Sequence, residues 1–285
     1  MPHFAKYHAL GNDYLIIDPQ RVDLSPGGEV SRRLCDRHRG IGADGVLFGP
    51  LSPVDPSGVD LLIYNADGSE CGRSGNGIRL FALYLVEHYL KETKFVVRTA
   101  AGESVVQILD FATGLVRIGM GRPSFDAAGV PLLGVSGPAV DIALAVDDTQ
   151  LTVTALNNGN PHAVVLCDEV SPALAHELGL RVARHPRFPE RTNVQFVRVA
   201  DRSTLDIEIW ERGAGYTLAS GACACAAASV AHAKGLVDDH VTVRMPGGSL
   251  DIVIDDDGSV WMAGPVEPVA VGDFSPEFRV KLAAG

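Results

Sequence analysis

The sequence predicts an α+β protein of two pseudo-symmetric domains, each a curved, mostly antiparallel sheet wrapped around one central helix. Three observations carry that expectation: an internal repeat, alternating apolar strands in both halves, and one helix per half that opens straight after a Ser-Gly pair. The first copy of the repeat runs from Thr99 to Leu109, turns at Ala112-Thr-Gly, and continues from Leu115 to Pro123. The second runs from Met245 to Ile254, turns at Asp255-Asp-Asp-Gly, and continues from Val260 to Pro265. Each copy reads as a glycine turn, an apolar strand, a short polar turn, and a strand ending in Gly-x-Pro or Gly-Pro.

The helices echo each other as well. After Ser74-Gly-Asn-Gly, the residues Ile78, Phe81, Ala82, Leu85 and Val86 recur at helical spacing and give one apolar face. After Ser220-Gly, the stretch to about Lys234 is nearly all Ala, Cys, Ser and Val. A helix apolar all round is a buried one, and its small side chains let strands pack closely about it. Val194 to Ala200 and Leu205 to Glu211 alternate as a strand pair, with Leu205, Ile207 and Ile209 on one face, and Leu61 to Tyr64 reads as a short buried strand. The expected division is residues 1–122, with 268–285 packing back on them, and residues 123–267. A duplicated α+β chain of this kind is expected to bind its ligand where the halves meet.

Bulk properties narrow the function. The chain has 285 residues, 46% hydrophobic and 21% charged, and a net charge of -11 with no basic block. Such a balance argues against nucleic acid and anionic membranes as partners. An anionic ligand must then be held by a local device. The opening MPHFAKYHAL lacks the charged start and apolar run of a signal peptide, and no apolar stretch nears the roughly 20 residues that span a bilayer. Five scattered cysteines (Cys35, Cys71, Cys167, Cys223 and Cys225) suggest reduced thiols, hence a cytoplasmic protein.

The strongest constellation pairs Asn65-Ala-Asp-Gly-Ser-Glu-Cys-Gly-Arg-Ser74-Gly-Asn-Gly with Glu211-Arg-Gly-Ala-Gly-Tyr-Thr-Leu-Ala-Ser220-Gly. Each sets a short polar side chain just before a helix whose first N–H groups lack intrahelical partners and can hold a carboxylate. Serine is also a preferred helix cap and needs no ligand to explain it. The pairing of two such loops favours the ligand-binding reading. Gly40-Ile-Gly-Ala-Asp-Gly has dinucleotide-loop spacing but follows the charged segment Arg32 to Arg39, not a buried strand. Cys223-x-Cys225 has no second pair at zinc spacing, so no metal is expected.

Seven motifs in order resemble the diaminopimelate epimerase family. They are Phe4 to Tyr14, Gly40 to Val46, Asn65 to Glu70, Gly159-Asn-Pro-His, Phe188 to Val194, Glu211-Arg-Gly-x-Gly-x-Thr and Met245-Pro-Gly-Gly. The resemblance runs from about residue 4 to residue 266. It implies the two-domain fold just described, with the active site in the cleft, and inversion of the α-carbon of LL-diaminopimelate to the meso form without any cofactor or metal. It also implies a homodimer. In that family two cysteines flank the reacting carbon, one as thiolate base and the other as thiol acid. A free thiol titrates near 8.5 and a helix N-terminus can bring it to roughly 3.5–7.5.

Carried over by motif, the resemblance makes Asn12, Asn65, Asn160, Asn193, Glu211 and Arg212 substrate-recognition residues, although turn chemistry alone accounts for many loop asparagines. Arg212 would grip a distal carboxylate of a small diacidic amino acid through two parallel bonds. Gly75, Asn76, Gly221 and Ala222 match the backbone donors to the reacting carboxylate, with Ala222 standing where the family usually has Thr. The two catalytic positions carry Ser74 and Ser220 where the family has cysteine. A hydroxyl is a far weaker acid than a thiol and serine needs an adjacent base to react. Helical geometry is expected to point Cys223 away from Ser220, and Cys225 to pack in the core. The alternatives are a same-scaffold enzyme with altered chemistry, such as a dehydratase or another amino-acid isomerase, and a catalytically weakened diaminopimelate-binding homologue.

Overall fold

The computed structural model describes residues 3–283. The chain forms two compact units: one runs up to Ile118 and resumes at Gly264, and the other is Gly119–Ala263. Five α-helices occur among the described residues: α1 Gly28–Cys35, α2 Gly75–His88, α3 Pro172–Ala183, α4 Gly221–Ala233 and α5 Pro276–Ala283.

In the first unit, a five-stranded sheet runs in the order Glu267–Gly272, Phe4–Ala9, Asn12–Ile17, Gly45–Phe48, Leu62–Asn65. All its neighbours are antiparallel except Asn12–Ile17 beside Gly45–Phe48. One face buries Leu15, Ile17, Val46 and Phe48 against Val30 and Leu34 of α1 and Leu282 of α5. A second run of strands, Lys94–Thr99, Gly102–Asp110 and Leu115–Gly121, contains the first copy of the repeat. Helix α2 packs on Phe4–Ala9, Asn12–Ile17 and Gly102–Asp110, touching both sets of strands. That explains a departure from the expected single apolar face: every residue from Asn76 to Leu85 is buried.

In the second unit, the strand order is Gly248–Ile254, His240–Met245, Thr204–Glu211, Asn193–Asp201, Pro161–Leu166, Thr149–Asn157, Ile142–Val146. Leu205, Ile207 and Ile209 share a buried face as expected. On the other face Trp210 lies so close to α3 that a Cβ on Gly179 would meet its Cβ at 2.7 Å and its ring at 2.8 Å. Helix α4 packs against strands from Thr149–Asn157 to Gly248–Ile254, and Cys223 to Val230 are buried without a break. Alanine-rich sequence favours the helix intrinsically, and the absence of any polar face leaves no side for water. Gly40-Ile-Gly follows α1 and its turn, so the dinucleotide-type spacing lacks the preceding strand here too.

Candidate active site

In the first unit Ser74 caps α2. Its backbone is extended (φ -131°, ψ 116°) and its Oγ accepts the Gly77 N–H at 3.1 Å. Tyr14 brings its Oη to 3.2 Å from the same Oγ. That contact depends on Gly45: a Cβ there would lie 2.5 Å from the Tyr14 ring. Gly75 and Asn76 begin the helix behind Ser74, where backbone N–H groups have no intrahelical acceptor. Asn76 is buried, and its Nδ2 donates to Asn12 Oδ1 at 3.0 Å. Asn12 Nδ2 donates to Asp44 Oδ2 at 2.9 Å. Asp44 is gripped by Arg37, which also holds Asp13. Burial works to raise the Asp13 carboxyl, but hydrogen bonds from Arg37 and Lys6 prevail and hold it at about 2. Asn65 lies at the turn and donates to Ser69 Oγ at 2.9 Å, so the visible work of its side chain is local.

In the second unit Ser220 stands at the head of α4, yet its side chain makes no capping bond. Its hydroxyl donates instead to Glu211 Oε2 at 3.0 Å. Burial pushes the Glu211 carboxyl above the usual carboxylate range, although the hydroxyls of Thr217 and Ser220 pull the other way. The loop from Glu211 to the strand at Gly215–Thr217 turns on Gly213 and Gly215 at φ +94° and +82°, conformations that side-chain-bearing residues rarely adopt. The tight reversal brings the chain back toward Ser220. Gly221 and Ala222 occupy the first turn of α4, and Ala222 O accepts from Asn158 Nδ2 at 2.8 Å.

Asn193 is buried and engaged on both sides: Nδ2 donates to Pro161 O at 2.9 Å, and Oδ1 accepts the Arg212 N–H at 2.9 Å. It thereby ties the Arg212 backbone to the central strands. Asn160 Oδ1 lies 2.6 Å from His162 Nε2, and Gln195 Nε2 lies 3.1 Å from His162 Nδ1. An amide N–H facing Nδ1 and a carbonyl oxygen facing Nε2 call for the neutral ring with its proton on Nε2. Burial drives this imidazole down to about 3, and the charge on Arg212 adds to the effect. Arg212 Nη1 donates to Glu190 O at 3.2 Å, beside a cavity of about 240 Å³ lined by Trp210, Glu211, Arg184 and Arg191.

Cys223 corrects one expectation. Helical geometry was to turn it away from Ser220, but the two side chains share a hydrogen bond, and the sulfur receives another from Gln195 at 3.1 Å. Residues three apart share a helix face, and Ser220 with its free side chain folds over the first turn. The thiol still cannot serve as a base, because burial and then the Glu211 charge push it well above its ordinary value. Cys71 is half-buried, its Sγ donates to Arg73 O, and burial raises its thiol as well. Cys225 lies in the core. Among the described residues no group of three or more His, Cys, Asp or Glu side chains is arranged to hold a metal ion.

Ser74, Gly75, Asn76 and Asn12 thus assemble in the first unit, with Asn65 at its turn. Glu211, Ser220 and Gly221 assemble in the second, with Asn160, Asn193, Arg212 and Ala222 around them. Sequence reasoning missed Tyr14, Arg79 and Gln195. The first two carried a signal, since each lies inside a motif, two residues after Asn12 and three after Asn76. Gln195 looked like an ordinary strand residue.

A family model described as diaminopimelate epimerase matches residues 4–125 and 154–269. Diaminopimelate epimerase 2 of a Nostoc species is 44% identical over 275 residues, covering 96% of each chain. Diaminopimelate epimerase of Heliobacterium modesticaldum is 39% identical over 278 residues, covering 95% of this chain and 98% of that one. A solved structure described as a predicted epimerase from Pseudomonas aeruginosa superposes with a TM-score of 0.67 at 16% identity, over 96% of this chain and 99% of its own. At that identity the likeness bears on the fold alone.

Proposed function

The chain belongs to the diaminopimelate epimerase family of isomerases, and on that premise we propose that it converts LL-diaminopimelate to meso-diaminopimelate without a cofactor, through Ser74 and Ser220. The observation that carries the reading is the 3.0 Å bond from Ser220 to Glu211. A serine hydroxyl is a poor base alone and needs a neighbour that accepts its proton. Glu211 is that neighbour. As the substrate Cα–H bond breaks, the proton joins Ser220 Oγ while the serine's own proton passes to Glu211 Oε2. In the other half-reaction Ser74, 3.2 Å from the Tyr14 hydroxyl, delivers a proton to the carbanion and recovers one from Tyr14 or solvent. The free N–H groups of Gly75 and Asn76, and of Gly221 and Ala222, receive the reacting carboxylate, where they also stabilise the negative charge that develops. Asn12, Asn65, Asn160, Asn193 and Arg212 bind the distal end of this small diacidic substrate. The protein works as a cytoplasmic homodimer.

The test is solvent exchange. Clean, reduced protein in deuterium oxide should exchange the α-proton of LL- and of meso-diaminopimelate, and absence of exchange for both would sink the reading. A second reading, a diaminopimelate-binding homologue with little turnover, is favoured by Ser74: its neighbours are a phenol and a backbone N–H, neither a good proton acceptor. Calorimetric binding of diaminopimelate with no exchange would select it.

A further inference from the structure

Arg79 is the largest fully buried side chain of the described residues and lies on α2 one turn after Asn76. A guanidinium can only donate hydrogen bonds. Its Nη2 donates to Asn76 Oδ1 at 2.8 Å, which turns the amide nitrogen of Asn76 the other way, toward Asn12 Oδ1 at 3.0 Å. Asn12 is fixed in turn, and its Nδ2 donates to Asp44 Oδ2 at 2.9 Å. The Asp44 carboxylate accepts from Arg37 Nη2 through its other oxygen, at 2.8 Å. A donor-only group therefore stands at one end of the chain and an acceptor-only group at the other. Flipping either amide between them would set oxygen against oxygen at one contact and N–H against N–H at the other. One orientation satisfies every bond.

We infer that Arg79 and Asp44 are positioning residues that, acting through Asn76, fix the amide of Asn12 so that it meets the substrate as a hydrogen-bond donor. The inference rests on the proposed reading of Asn12 as a substrate-binding residue. The carbonyl oxygen of Asn12 is turned to α2, and the group left over is the second hydrogen on Nδ2. Its complement is a carboxylate oxygen of the substrate, not an ammonium group. Arg79 touches no substrate in this arrangement. It acts by denying Asn76, and hence Asn12, the opposite orientation.

Truncating a buried arginine endangers the fold, so the test reverses the polarity of the chain instead. The double variant Asn76→Asp with Asp44→Asn places a carboxylate beside Arg79 and an amide beside Arg37. The bonds from Arg79 through to Arg37 can again form, but only with the Asn12 amide reversed, and the Asp13 N–H gives up the Oδ2 acceptor it has at 3.2 Å in the parent. In asparagine-labelled protein, the Asn12 side-chain amide protons should show nuclear Overhauser contacts to the Asp44 Hβ protons in the parent. In the double variant those contacts should move to the Hβ protons at position 76. The KM for LL-diaminopimelate, or its calorimetric Kd, should rise about tenfold or more, because a lone pair replaces a donor opposite a carboxylate. Unchanged contacts, or reversed contacts with parental KM and Kd, would overturn the inference. Parent protein that shows the expected contacts and binds the substrate but never exchanges its α-proton would count against the proposed reaction, leaving the orientation of Asn12 standing.

Discussion

Ser220 gives its hydroxyl hydrogen to Glu211 at 3.0 Å, although it stands at the head of α4 where serine ordinarily accepts from the helix. Ser74, in the equivalent place before α2, does cap its helix. Two similar Ser-Gly sequences therefore have different electrostatic settings, and the difference can be measured.

Glu211→Gln keeps a group that can accept the Ser220 hydrogen bond but cannot take a proton. Its kcat for epimerisation should fall about 10²-fold or more, the usual contribution of a general base. Thermal stability should hold or rise, since a desolvated carboxylate is removed. Steady-state assays beside a melting curve check both. Retained kcat would exclude Glu211 as the proton acceptor.

Activity should rise with pH through a value above the ordinary carboxylate range, because Glu211 must be ionised to act and burial raises its carboxyl. The stability contribution has the opposite sign. A carboxyl raised in the folded state favours folding below its unfolded value, and that advantage is lost as pH climbs through the raised value. The kcat–pH profile should therefore lose its acid limb in Glu211→Gln.

His162 predicts a separate acid sensitivity. Its folded value of about 3 lies below the ordinary 6.5, so the neutral ring stabilises the fold above 6.5 and that contribution is lost as pH falls toward 3. Between 6.5 and about 4, where Asp13 is still ionised, unfolding free energy should drop by up to about 1.4 kcal/mol per pH unit. Denaturant titrations of His162→Gln should show a flatter profile over this window. An equal slope would mean that another group carries it.

Restoring thiols should raise turnover. Ser74→Cys with Ser220→Cys places sulfur at two helix N-termini, where a thiol titrates far below a hydroxyl. An increase in kcat of about 10²-fold or more is expected. No gain would show that the chain lacks something besides the thiols.

Gly45→Ala tests the support behind Ser74. Its Cβ would lie 2.5 Å from the Tyr14 ring and 2.6 Å from Tyr64 O, so the strands or the ring must move. Such overpacking should cost about 1–3 kcal/mol of stability. Tyr14→Phe removes only the hydroxyl and should cost about 0.5–1.5 kcal/mol. If both variants melt like the parent, Tyr14 is not held by this packing.

What could be read from the sequence was set by how locally each feature is encoded. The starts of α2 and α4, the repeated strands and the turn at Asp255 lie within short windows whose spacing and turn residues announce them. The family motifs marked Asn12, Asn76, Glu211 and Ser220 one by one. Their connections were not legible, because they join residues far apart in the chain. Asn12 meets Asn76 across 64 positions, and Gln195 meets Cys223 across 28. The role of Ser220 was hidden for another reason. Capping and donation to Glu211 use the same residue type at the same place, and only the backward-turning glycine loop decides between them. Cys223 was misplaced because helical direction alone ignores a neighbouring side chain that folds over the turn.

The encasement of α4 has a consequence for ionic strength. Its residues from Cys223 to Val230 are buried without interruption, and Ser220 and Gly221 at its head are buried too. Counter-ions are kept from the body of the helix, so the partial positive charge of its unpaired amides acts largely through protein and is only weakly screened by salt. A carboxylate bound at those amides is expected to lose less affinity as salt rises than a carboxylate held by an exposed arginine.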